Sequence, residues 1–211
     1  AYMLEHHRDT VFSIGYQMPS PTWTMLQLMW INNNEPEVLK KTARAMFVKD
    51  YVRYQLTGTR TTDHIEAQGS LLFDNINWCW SDELCRISGV PLSILPPLVK
   101  PGDIAGRITP EASRLTGIPA GTPVINGASD TAMEAYCVGA IAENSCVTKL
   151  ATSGTLYLFR KQPEPNPKTL TYSHVVDGLW YTCLATSSAA ESLRWYRDTF
   201  CQQEWQSEQR G

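Results

Sequence analysis

The hydrophobic pattern of this 211-residue chain changes near Gly139. Before Gly139, apolar residues recur at the three- and four-residue spacing of amphipathic helices. After it, short apolar runs are separated by turn residues, which predicts a meander of strands. The predicted strands cover residues 145–151, 156–160, 169–174 and 179–184. The change indicates an α/β chain with a domain boundary between residues 140 and 150.

Local start and stop signals divide the first segment into helices. Apolar stripes run over residues 25–30 and 45–56, and the second ends at Thr57-Gly58, because glycine readily takes the left-handed conformation that stops a helix. We interpret these Met-rich and aromatic stripes as core packing. Four sites carry capping signals and are each expected to begin a helix: the first begins the helix of the 25–30 stripe, and the last lies in the second segment. These sites are Ser20-Pro21, Ser81, Thr109-Pro110 and Ser188-x-x-Glu191.

Composition and charge exclude several classes of protein. The chain is 43% apolar and 18% charged, which indicates a globular protein rather than a disordered one. Its net charge of −3 arises from acids and bases spread along the sequence, so nucleic acid is not an expected partner. No apolar stretch approaches the roughly 20 residues that span a bilayer, and no signal peptide is recognisable at the start. We therefore expect a soluble, cytoplasmic protein that does not bind a membrane.

The cysteines and histidines do not suggest a metal site. The six cysteines lack any C-x-x-C spacing, and we interpret them as reduced thiols in the core. None of the four histidines has another potential metal ligand at a spacing typical of a metal site. The aromatic residues Trp23 and Trp30 could stack on a sugar ring, but we interpret them as packing residues.

Asp130 is the strongest candidate for a catalytic residue. Residues 122–127 are expected to form a buried strand that leads into a glycine, and Ser129-Asp130 can begin the next helix. A carboxylate at such a junction lies at the edge of a sheet where open sheets bind ligands, and it can accept a proton from a substrate hydroxyl. The alternative is that Asp130 caps its helix, which its position alone favours.

A second candidate feature is the turn Ala151-Thr152-Ser153-Gly154-Thr155. Small and hydroxyl residues let backbone N–H groups close around phosphate oxygens. The same residues are also common in ordinary hairpin turns, so the turn alone does not establish a phosphate site. The occurrence of this turn together with Asp130 favours the interpretation as a phosphate site.

Several short motifs occur in an order that resembles one known family. The motifs are Asp50-Tyr51-Val52-Arg53-Tyr54-Gln55-Leu56-Thr57-Gly58, Thr62-Asp63-x-x-x-Ala67, Leu72-Phe73-Asp74 with Trp78 or Trp80, Gly117-x-x-Ala120-Gly121-Thr122-Pro123-Val124, Gly127-x-x-Asp130, Gly139-Ala140 and Thr152-Ser153-Gly154. From about Gly15 to Phe200, the chain resembles the FGGY family of carbohydrate kinases.

The resemblance implies a fold and a division into domains. The family has an α/β fold with two domains of ribonuclease-H-like topology, as in the actin-like ATPase superfamily. Residues 1–145 match the later part of the amino-terminal, sugar-binding domain, and residues 146–211 match the start of the carboxy-terminal, nucleotide-binding domain, so both are truncated. A homodimer is a further expectation. The family positions matched by Asp63, Asp74, Trp78 and Trp80 are interpreted as architectural.

The resemblance also implies site residues and substrates. Asp130 matches the catalytic aspartate, and Thr131 matches a neighbouring substrate-binding position. Thr152, Ser153, Gly154 and Thr155 match the loop that approaches the phosphates of ATP, which carries Mg²⁺ with it. The spacing from Asp130 to that loop resembles xylulose kinases, which favours a ketopentose such as xylulose as the sugar substrate of this transferase.

The chain departs from the family pattern in several places. Nothing before Gly15 resembles the family's Asp-x-Gly-Thr-like phosphate turn, and the adenine-binding glycines of the second domain are absent. We therefore expect this chain to be a piece of a longer protein and to be inactive alone. Ala151 and Gln68 replace residues that are usually glycine and serine. The alternative to an active kinase is an inactive sugar-binding or scaffolding relative.

Overall fold

The computed structural model describes residues 2–202 and 206–207. The helices with defined bounds are α1 (Tyr2–His6), α2 (Arg8–Gly15), α3 (Thr24–Asn34), α4 (Pro36–Lys41), α5 (Val48–Thr57), α6 (His64–Gln68), α7 (Asp82–Ser88), α8 (Pro110–Thr116), α9 (Asp130–Cys137) and α10 (Ala190–Phe200), with a 3₁₀ turn at Leu92–Ile94. The strands are β1 (Thr62–Asp63), β2 (Phe73–Asp74), β3 (Cys79–Trp80), β4 (Leu98–Val99), β5 (Ile104–Arg107), β6 (Pro123–Ile125), β7 (Cys146–Leu150), β8 (Gly154–Arg160), β9 (Leu170–Ser173) and β10 (Trp180–Thr186).

Two of the predicted helix caps are confirmed by hydrogen bonds. The Ser81 hydroxyl accepts the Leu84 N–H at 3.1 Å, and the Thr109 hydroxyl accepts the Ala112 N–H at 3.1 Å. Helix α5 is followed by Gly58, as predicted. Its φ of 74° is a left-handed conformation that is energetically unfavourable for a residue with a Cβ atom. Helices α5, α7 and α8 therefore begin and end close to where the sequence predicts.

The other two predicted caps are wrong. Helix α3 begins at Thr24, three residues after Pro21, and Ser20 instead bonds to Thr22 in the preceding turn. Helix α10 begins at Ala190, and the Ser188 hydroxyl bonds to that of Ser192 instead of capping a backbone N–H. In both places the hydroxyl finds a nearby side-chain partner, which competes with the capping bond.

The first hydrophobic core lies among the helices of the amino-terminal half. Met3 of α1, Val11 of α2, Met25 of α3 and Leu84 of α7 are buried there. The packing interpretation of the stripes thus holds for Met25, but Trp30 on the same helix is 57% exposed and lies outside this core. A helix with one buried face leaves such residues at the surface.

The four predicted strands are confirmed and form an antiparallel sheet, but its order is β7-β8-β10-β9, so β10 lies between β8 and β9 and the simple meander connectivity is wrong. The sheet keeps the name meander below. Strand β9 is an edge strand, but its outer side is covered. The Gln17 side chain donates to the Thr171 carbonyl at 2.6 Å, and the Gln68 side-chain oxygen accepts the Ser173 N–H at 2.9 Å. These buried amides tie the meander to the helical segment and satisfy an edge that would otherwise be open.

A second core joins the two segments. Ile65 of α6 and Ala132 and Ala135 of α9 are buried against Phe159 and Tyr181 of the meander. Contacts therefore cross the predicted boundary near residue 145. The assignment of residues 1–145 and 146–211 to separate family domains stays a prediction.

Two sequence expectations need correction in this part of the molecule. The strand expected to be buried, β6, is short and pairs only with β5 among the described strands, and Pro123 and Ile125 are exposed. Cys79, Cys137 and Cys146 are also exposed and are not core thiols. No helix among the described residues is long and apolar enough to cross a membrane.

The cap of α7 yields a test of local stability. Replacing Ser81 with Ala removes the acceptor for the Leu84 N–H and is expected to lower the free energy of unfolding by about 1 kcal/mol. Ser188→Ala is the matched control, because its hydroxyl caps no backbone group. Urea unfolding of both variants checks the difference, and an equal loss in both would contradict the assignment of the cap.

Candidate functional site

Asp130 lies at the first residue of α9, directly after the turn that follows β6. Its side chain is exposed, and one carboxylate oxygen accepts the Thr131 N–H at 2.7 Å. Ser129 is the N-cap residue, but its hydroxyl makes no capping bond. The carboxylate is therefore held at the start of a helix, where the helix dipole favours negative charge.

The turn before Asp130 is fixed by a buried arginine. Arg53 on α5 is 4% exposed and donates to the Asn126 carbonyl at 2.7 Å and to the Thr61 carbonyl. The Thr61 hydroxyl donates to the Asn126 side chain at 3.2 Å, and Gly127 continues with a φ of 77°. The planar guanidinium group can bind two carbonyls at once, which is why arginine suits this position.

Arg53 belongs to a buried cluster of charges. Asp50 pairs with Arg53 at 3.0 Å and with Lys49 at 2.8 Å, and Lys49 also reaches Asp63 at 2.7 Å. Asp63 uses its other oxygen to cap α6, where it accepts the N–H groups of Ile65 and Glu66. The cluster therefore fixes both α6 and the turn before α9. The architectural interpretation of Asp63 is confirmed.

The Asp130 carboxylate borders a cavity of about 280 Å³, named here the Asp130 cavity. Its walls come from the turn before α3, from α6, from the start of α9, and from strands β9 and β10. The polar and aromatic side chains that line it include Trp23, Glu66, Thr131, Tyr172 and Tyr181. Strand β6 ends near the cavity, but a two-stranded antiparallel pair does not form the open parallel edge expected from the sequence, and the meander forms the wall instead.

Glu66 is the second carboxylate of the Asp130 cavity. Burial raises its pKa to about 7, Lys49 opposes this rise, and Asp63, Asp50 and Asp130 add to it. Within the residues that the structure describes, the Glu66 carboxyl group has no hydrogen-bond or ion-pair partner. The cavity thus contains a carboxyl group that changes its charge near neutral pH.

Two tyrosines line the meander side of the cavity. The rings of Tyr172 and Tyr181 are stacked with centroids 5.6 Å apart. Burial raises the pKa of both hydroxyl groups well above the usual range, so both are neutral donors. The Tyr181 hydroxyl is buried, and a hydrogen bond with the Ser129 side chain lowers its pKa in opposition to burial.

The turn at residues 151–155 joins β7 to β8. Its base is fixed because the Ala189 N–H donates to the Thr152 carbonyl at 2.8 Å. Gly154 is packed so closely that an added Cβ would lie 3.0 Å from the Cβ of Ala189. Thr152 and Ser153 are exposed, and no acceptor within the described residues takes their backbone N–H groups. These free N–H and hydroxyl groups are suited to an anion.

The predicted site residues fall into two groups. Asp130 and Thr131 share the Asp130 cavity, whereas Gly154 and Thr155 border a different, apolar pocket of about 320 Å³. Lys149 lies between the groups: it pairs with Glu134 of α9 at 2.7 Å and is opposite Thr155 in the sheet. The charge of Asp130 contributes to raising the Lys149 pKa, after the larger effect of the Glu134 hydrogen bond.

Sequence reasoning missed Glu66 and Tyr181. A signal for Glu66 was present, because it lies three residues after the capping Asp63 on a short helix, but an exposed first-turn acid gives the same pattern. Trp23, interpreted as a packing residue, both contacts the first core and lines the cavity. The Met- and Trp-lined groove between α1 and α3 is larger, about 520 Å³, but no ionisable side chain lines it. It is therefore a poor candidate for catalysis.

No group of three or more His, Cys, Asp or Glu side chains in residues 2–202 and 206–207 is arranged to hold a metal ion.

Comparison with known proteins identifies relatives. Residues 3–137 match the family model described as "FGGY family of carbohydrate kinases, N-terminal domain". Xylulose kinase from Bacillus subtilis is 30% identical over 204 residues, covering 96% of this chain and 41% of that protein. Xylulose kinase from Lactococcus lactis is 31% identical over 179 residues, covering 84% of this chain and 36% of that protein. This chain thus spans about two fifths of the length of such relatives.

The fold matches solved structures as well. The crystal structure of xylulose kinase from Rhodospirillum rubrum superposes with a TM-score of 0.89 over 95% of this chain and 41% of that one, at 24% identity. Together with the mixed helices and strands described above, this match confirms the predicted α/β fold, shared with carbohydrate kinases of actin-like ATPase architecture.

The arginine that holds the turn before Asp130 yields a second test. Arg53→Lys keeps a positive charge but cannot bind both carbonyls, so the free energy of unfolding is expected to fall by about 2 kcal/mol. Arg86→Lys is the matched control, because Arg86 pairs with Glu83 at the exposed surface. Chemical unfolding measures both, and a loss no larger than that of the control would contradict the structural role of Arg53.

The raised pKa of Glu66 predicts a pH dependence of stability. The folded state keeps the Glu66 proton up to about pH 7, whereas the unfolded chain releases it near pH 4.5. Ionised Glu66 therefore destabilises the fold progressively as pH rises through this window, and Glu66→Gln removes that effect. Relative to the parent, Glu66→Gln is expected to gain about 1 kcal/mol in unfolding free energy between pH 4 and pH 8, after allowance for solvent screening.

Urea unfolding at several pH values checks this expectation, with the exposed Glu111→Gln as the control. A difference between Glu66→Gln and the parent that does not change with pH would show that Glu66 is ionised normally in the folded state.

Proposed function

Because this chain belongs to the FGGY family of carbohydrate kinases, we propose that its parent protein transfers the γ-phosphoryl group of MgATP to a hydroxyl group of a sugar. Asp130 is the general base in this proposal. The observation that carries it is the position of Asp130: an exposed carboxylate at a helix start, on the border of a cavity lined by tyrosines, a tryptophan and a second carboxyl group.

The chemistry requires one acceptor hydroxyl near Asp130. The hydroxyl oxygen forms a bond to the γ-phosphorus, the bond from that phosphorus to the leaving oxygen of ADP breaks, and the hydroxyl proton passes to the Asp130 carboxylate. In such transfers the protein mainly orients the reactants, so a carboxylate in a fixed position is sufficient. Arg53 supports this role indirectly, because it fixes the turn that sets where α9 begins.

Thr131 and the turn at residues 152–155 have supporting roles in the proposal. Thr131 lines the same cavity, and in this proposal it contacts the sugar. The exposed hydroxyls of Thr152 and Ser153 and their free backbone N–H groups would bind phosphate oxygens of ATP, with Gly154 allowing the close backbone packing and Thr155 continuing the turn. Mg²⁺ arrives with the nucleotide as part of the substrate.

The proposed acceptor is a ketopentose such as xylulose. Two relatives reported above carry the name xylulose kinase, and the cavity offers aromatic rings for the carbon skeleton and polar groups for hydroxyls. The cytoplasmic location and the homodimer expected from the sequence stay predictions.

Asp130→Asn in the full-length protein tests the proposal. The amide cannot take the hydroxyl proton, so kcat is expected to fall by about 10²- to 10⁴-fold while sugar binding is retained. A coupled assay of ATP consumption with a panel of ketoses and polyols measures turnover, and calorimetry measures sugar and MgATP binding. Asp177→Asn, on an exposed loop outside the Asp130 cavity, is the matched control and should leave turnover unchanged.

Turnover by Asp130→Asn at the rate of the parent would show that Asp130 is not the base. A parent protein that binds sugar, but neither binds MgATP nor consumes it, would overturn the proposal in favour of an inactive sugar-binding relative.

A further inference from the structure

Lys149 on β7 lies between the two groups of predicted site residues. Its Nζ donates to both carboxylate oxygens of Glu134, each at 2.7 Å. Glu134 is on α9, four residues after Asp130, so the two acids are neighbours on the surface of that helix. The ammonium group of Lys149 is thus held about one helical turn from the proposed base.

The register of the sheet also places Lys149 beside the turn at residues 151–155. Lys149 is opposite Thr155 in the β7–β8 pair, so both side chains lie on the same face of the sheet. Tyr157, two residues after Thr155, is on that face too, and it is opposite Cys183 of β10. Cys183 lines the Asp130 cavity. Lys149 and Thr155 therefore form the row of side chains next to the row that reaches the cavity wall.

The ion pair between Lys149 and Glu134 is at the surface and can be exchanged. The two side chains are 44% and 46% exposed. Exposed ion pairs contribute little to stability, because water screens the charges. An ammonium group has three protons, and the bonds to Glu134 use two of them. Lys149 can therefore bind a further oxygen, or leave Glu134 for a stronger anion, at little cost.

The proposed transfer brings a highly charged group to this place. The γ-phosphoryl group of ATP is anionic, and the Asp130 carboxylate beside the acceptor hydroxyl repels it. The turn at residues 151–155 has no charged side chain, and no lysine or arginine in the described part of the chain lines the Asp130 cavity. The buried cations Lys49 and Arg53 are already paired with carboxylates. A cation between the base and the phosphate would offset the repulsion.

Lys149 is a cation at neutral pH. The hydrogen bond to Glu134 is the largest cause that raises the pKa of Lys149, and the charge of Asp130 makes a smaller contribution in the same direction. The ammonium group and the Asp130 carboxylate therefore interact even though they do not form an ion pair.

We propose that Lys149 binds an oxygen of the γ-phosphoryl group of ATP during the transfer, which makes it a second catalytic residue beside Asp130. This inference rests on the proposed function. Lys149 exchanges Glu134 for the phosphoryl oxygen and offsets its negative charge while the group moves from ADP to the sugar hydroxyl. Lys149 keeps its proton, and no covalent bond forms or breaks at its nitrogen. A donor that is in place before the reaction stabilises such charge strongly.

The alternative is that Lys149 only ties β7 to α9. The buried contacts of Ala132 and Ala135 with Phe159 and Tyr181 already join α9 to the meander, and an exposed ion pair adds little to them. The two roles predict opposite effects of removing Glu134. A structural tie requires Glu134, whereas in phosphate binding Glu134 competes with the phosphoryl oxygen for Lys149.

The first experiment measures nucleotide binding to the full-length parent protein by calorimetry. The probes are the magnesium complexes of ADP and of AMP-PNP, an ATP analogue that is not hydrolysed. Lys149→Met is expected to weaken AMP-PNP binding by about 10-fold or more, because a charged hydrogen bond to the γ-phosphate is lost. ADP lacks that phosphate, so its affinity should change by less than about 2-fold. Lys161→Met, which loses an exposed ion pair with Glu143, is the matched control.

Steady-state kinetics of the same variants test the transfer itself. Lys149→Met should lower kcat by about 10²- to 10³-fold, as expected when a donor to the transition state is removed, while KM for the sugar changes by less than about 3-fold. Lys149→Arg keeps the positive charge and should recover at least about 10-fold of the loss. A coupled assay of ATP consumption measures both variants.

Glu134→Gln separates the proposed role from the structural tie. It removes the competing carboxylate and should tighten AMP-PNP binding by about 2- to 5-fold, the range expected for release of an exposed ion pair. Because this variant keeps the lysine, it also tests the inference if Lys149→Met fails to fold. Weaker AMP-PNP binding in Glu134→Gln would show that the ion pair is a structural tie and would overturn the inference.

The outcomes for the inference and for the proposed function can be told apart. An equal loss of AMP-PNP and ADP binding in Lys149→Met, or no loss of either, would overturn the inference, while a loss of kcat in Asp130→Asn would still support Asp130 as the base. Full turnover in Asp130→Asn, together with a loss in Lys149→Met that is specific to AMP-PNP, would overturn the base and support Lys149. A parent protein that does not bind MgATP would overturn both.

Discussion

The structure depends most on the buried ion cluster of Lys49, Asp50, Arg53 and Asp63. Asp50 and Asp63 are fully buried, so each carboxylate needs a cation, and removing one member would leave an uncompensated charge. The same four side chains join α5 to the cap of α6 and to the turn before α9. One cluster thereby sets the positions of both carboxyl groups of the Asp130 cavity, Glu66 through the cap and Asp130 through Arg53.

The meander completes the cavity because it shares a core with α6 and α9. Buried alanines on α9 allow the helix to pack closely against Phe159 and Tyr181. Gln17 and Gln68 then bond to the outer edge of β9, so that the sheet docks by both apolar packing and buried hydrogen bonds. Burial of these amides is favourable only in this arrangement, because each amide loses its water when the edge is covered.

Sequence reasoning predicted what local signals determine. The stop at Gly58, the caps at Ser81 and Thr109, and the four strands of the meander each depend on a few neighbouring residues. The predicted caps at Ser20 and Ser188 were wrong because a neighbouring side chain takes each hydroxyl. The wall that Tyr181 adds to the cavity was missed because it depends on a contact between residues distant in the sequence. Asp130 could be found because of its position at a strand-to-helix junction; Glu66 could not, because its burial depends on strands more than 100 residues later in the chain.

The relation between the Asp130 cavity and the turn at residues 151–155 is set by one sheet. Strands β8 and β10 pair in register from Gly154↔Thr186 to Arg160↔Trp180, so the turn and the Tyr181 wall cannot slide past each other. Contacts connect them as well: the Thr155 hydroxyl donates to the Tyr157 hydroxyl at 2.7 Å, and the Tyr157 ring packs against Tyr181. The proposed phosphoryl transfer depends on the distance between the acceptor hydroxyl and the phosphate, and this sheet would fix the distance between the Asp130 cavity and the turn at residues 151–155.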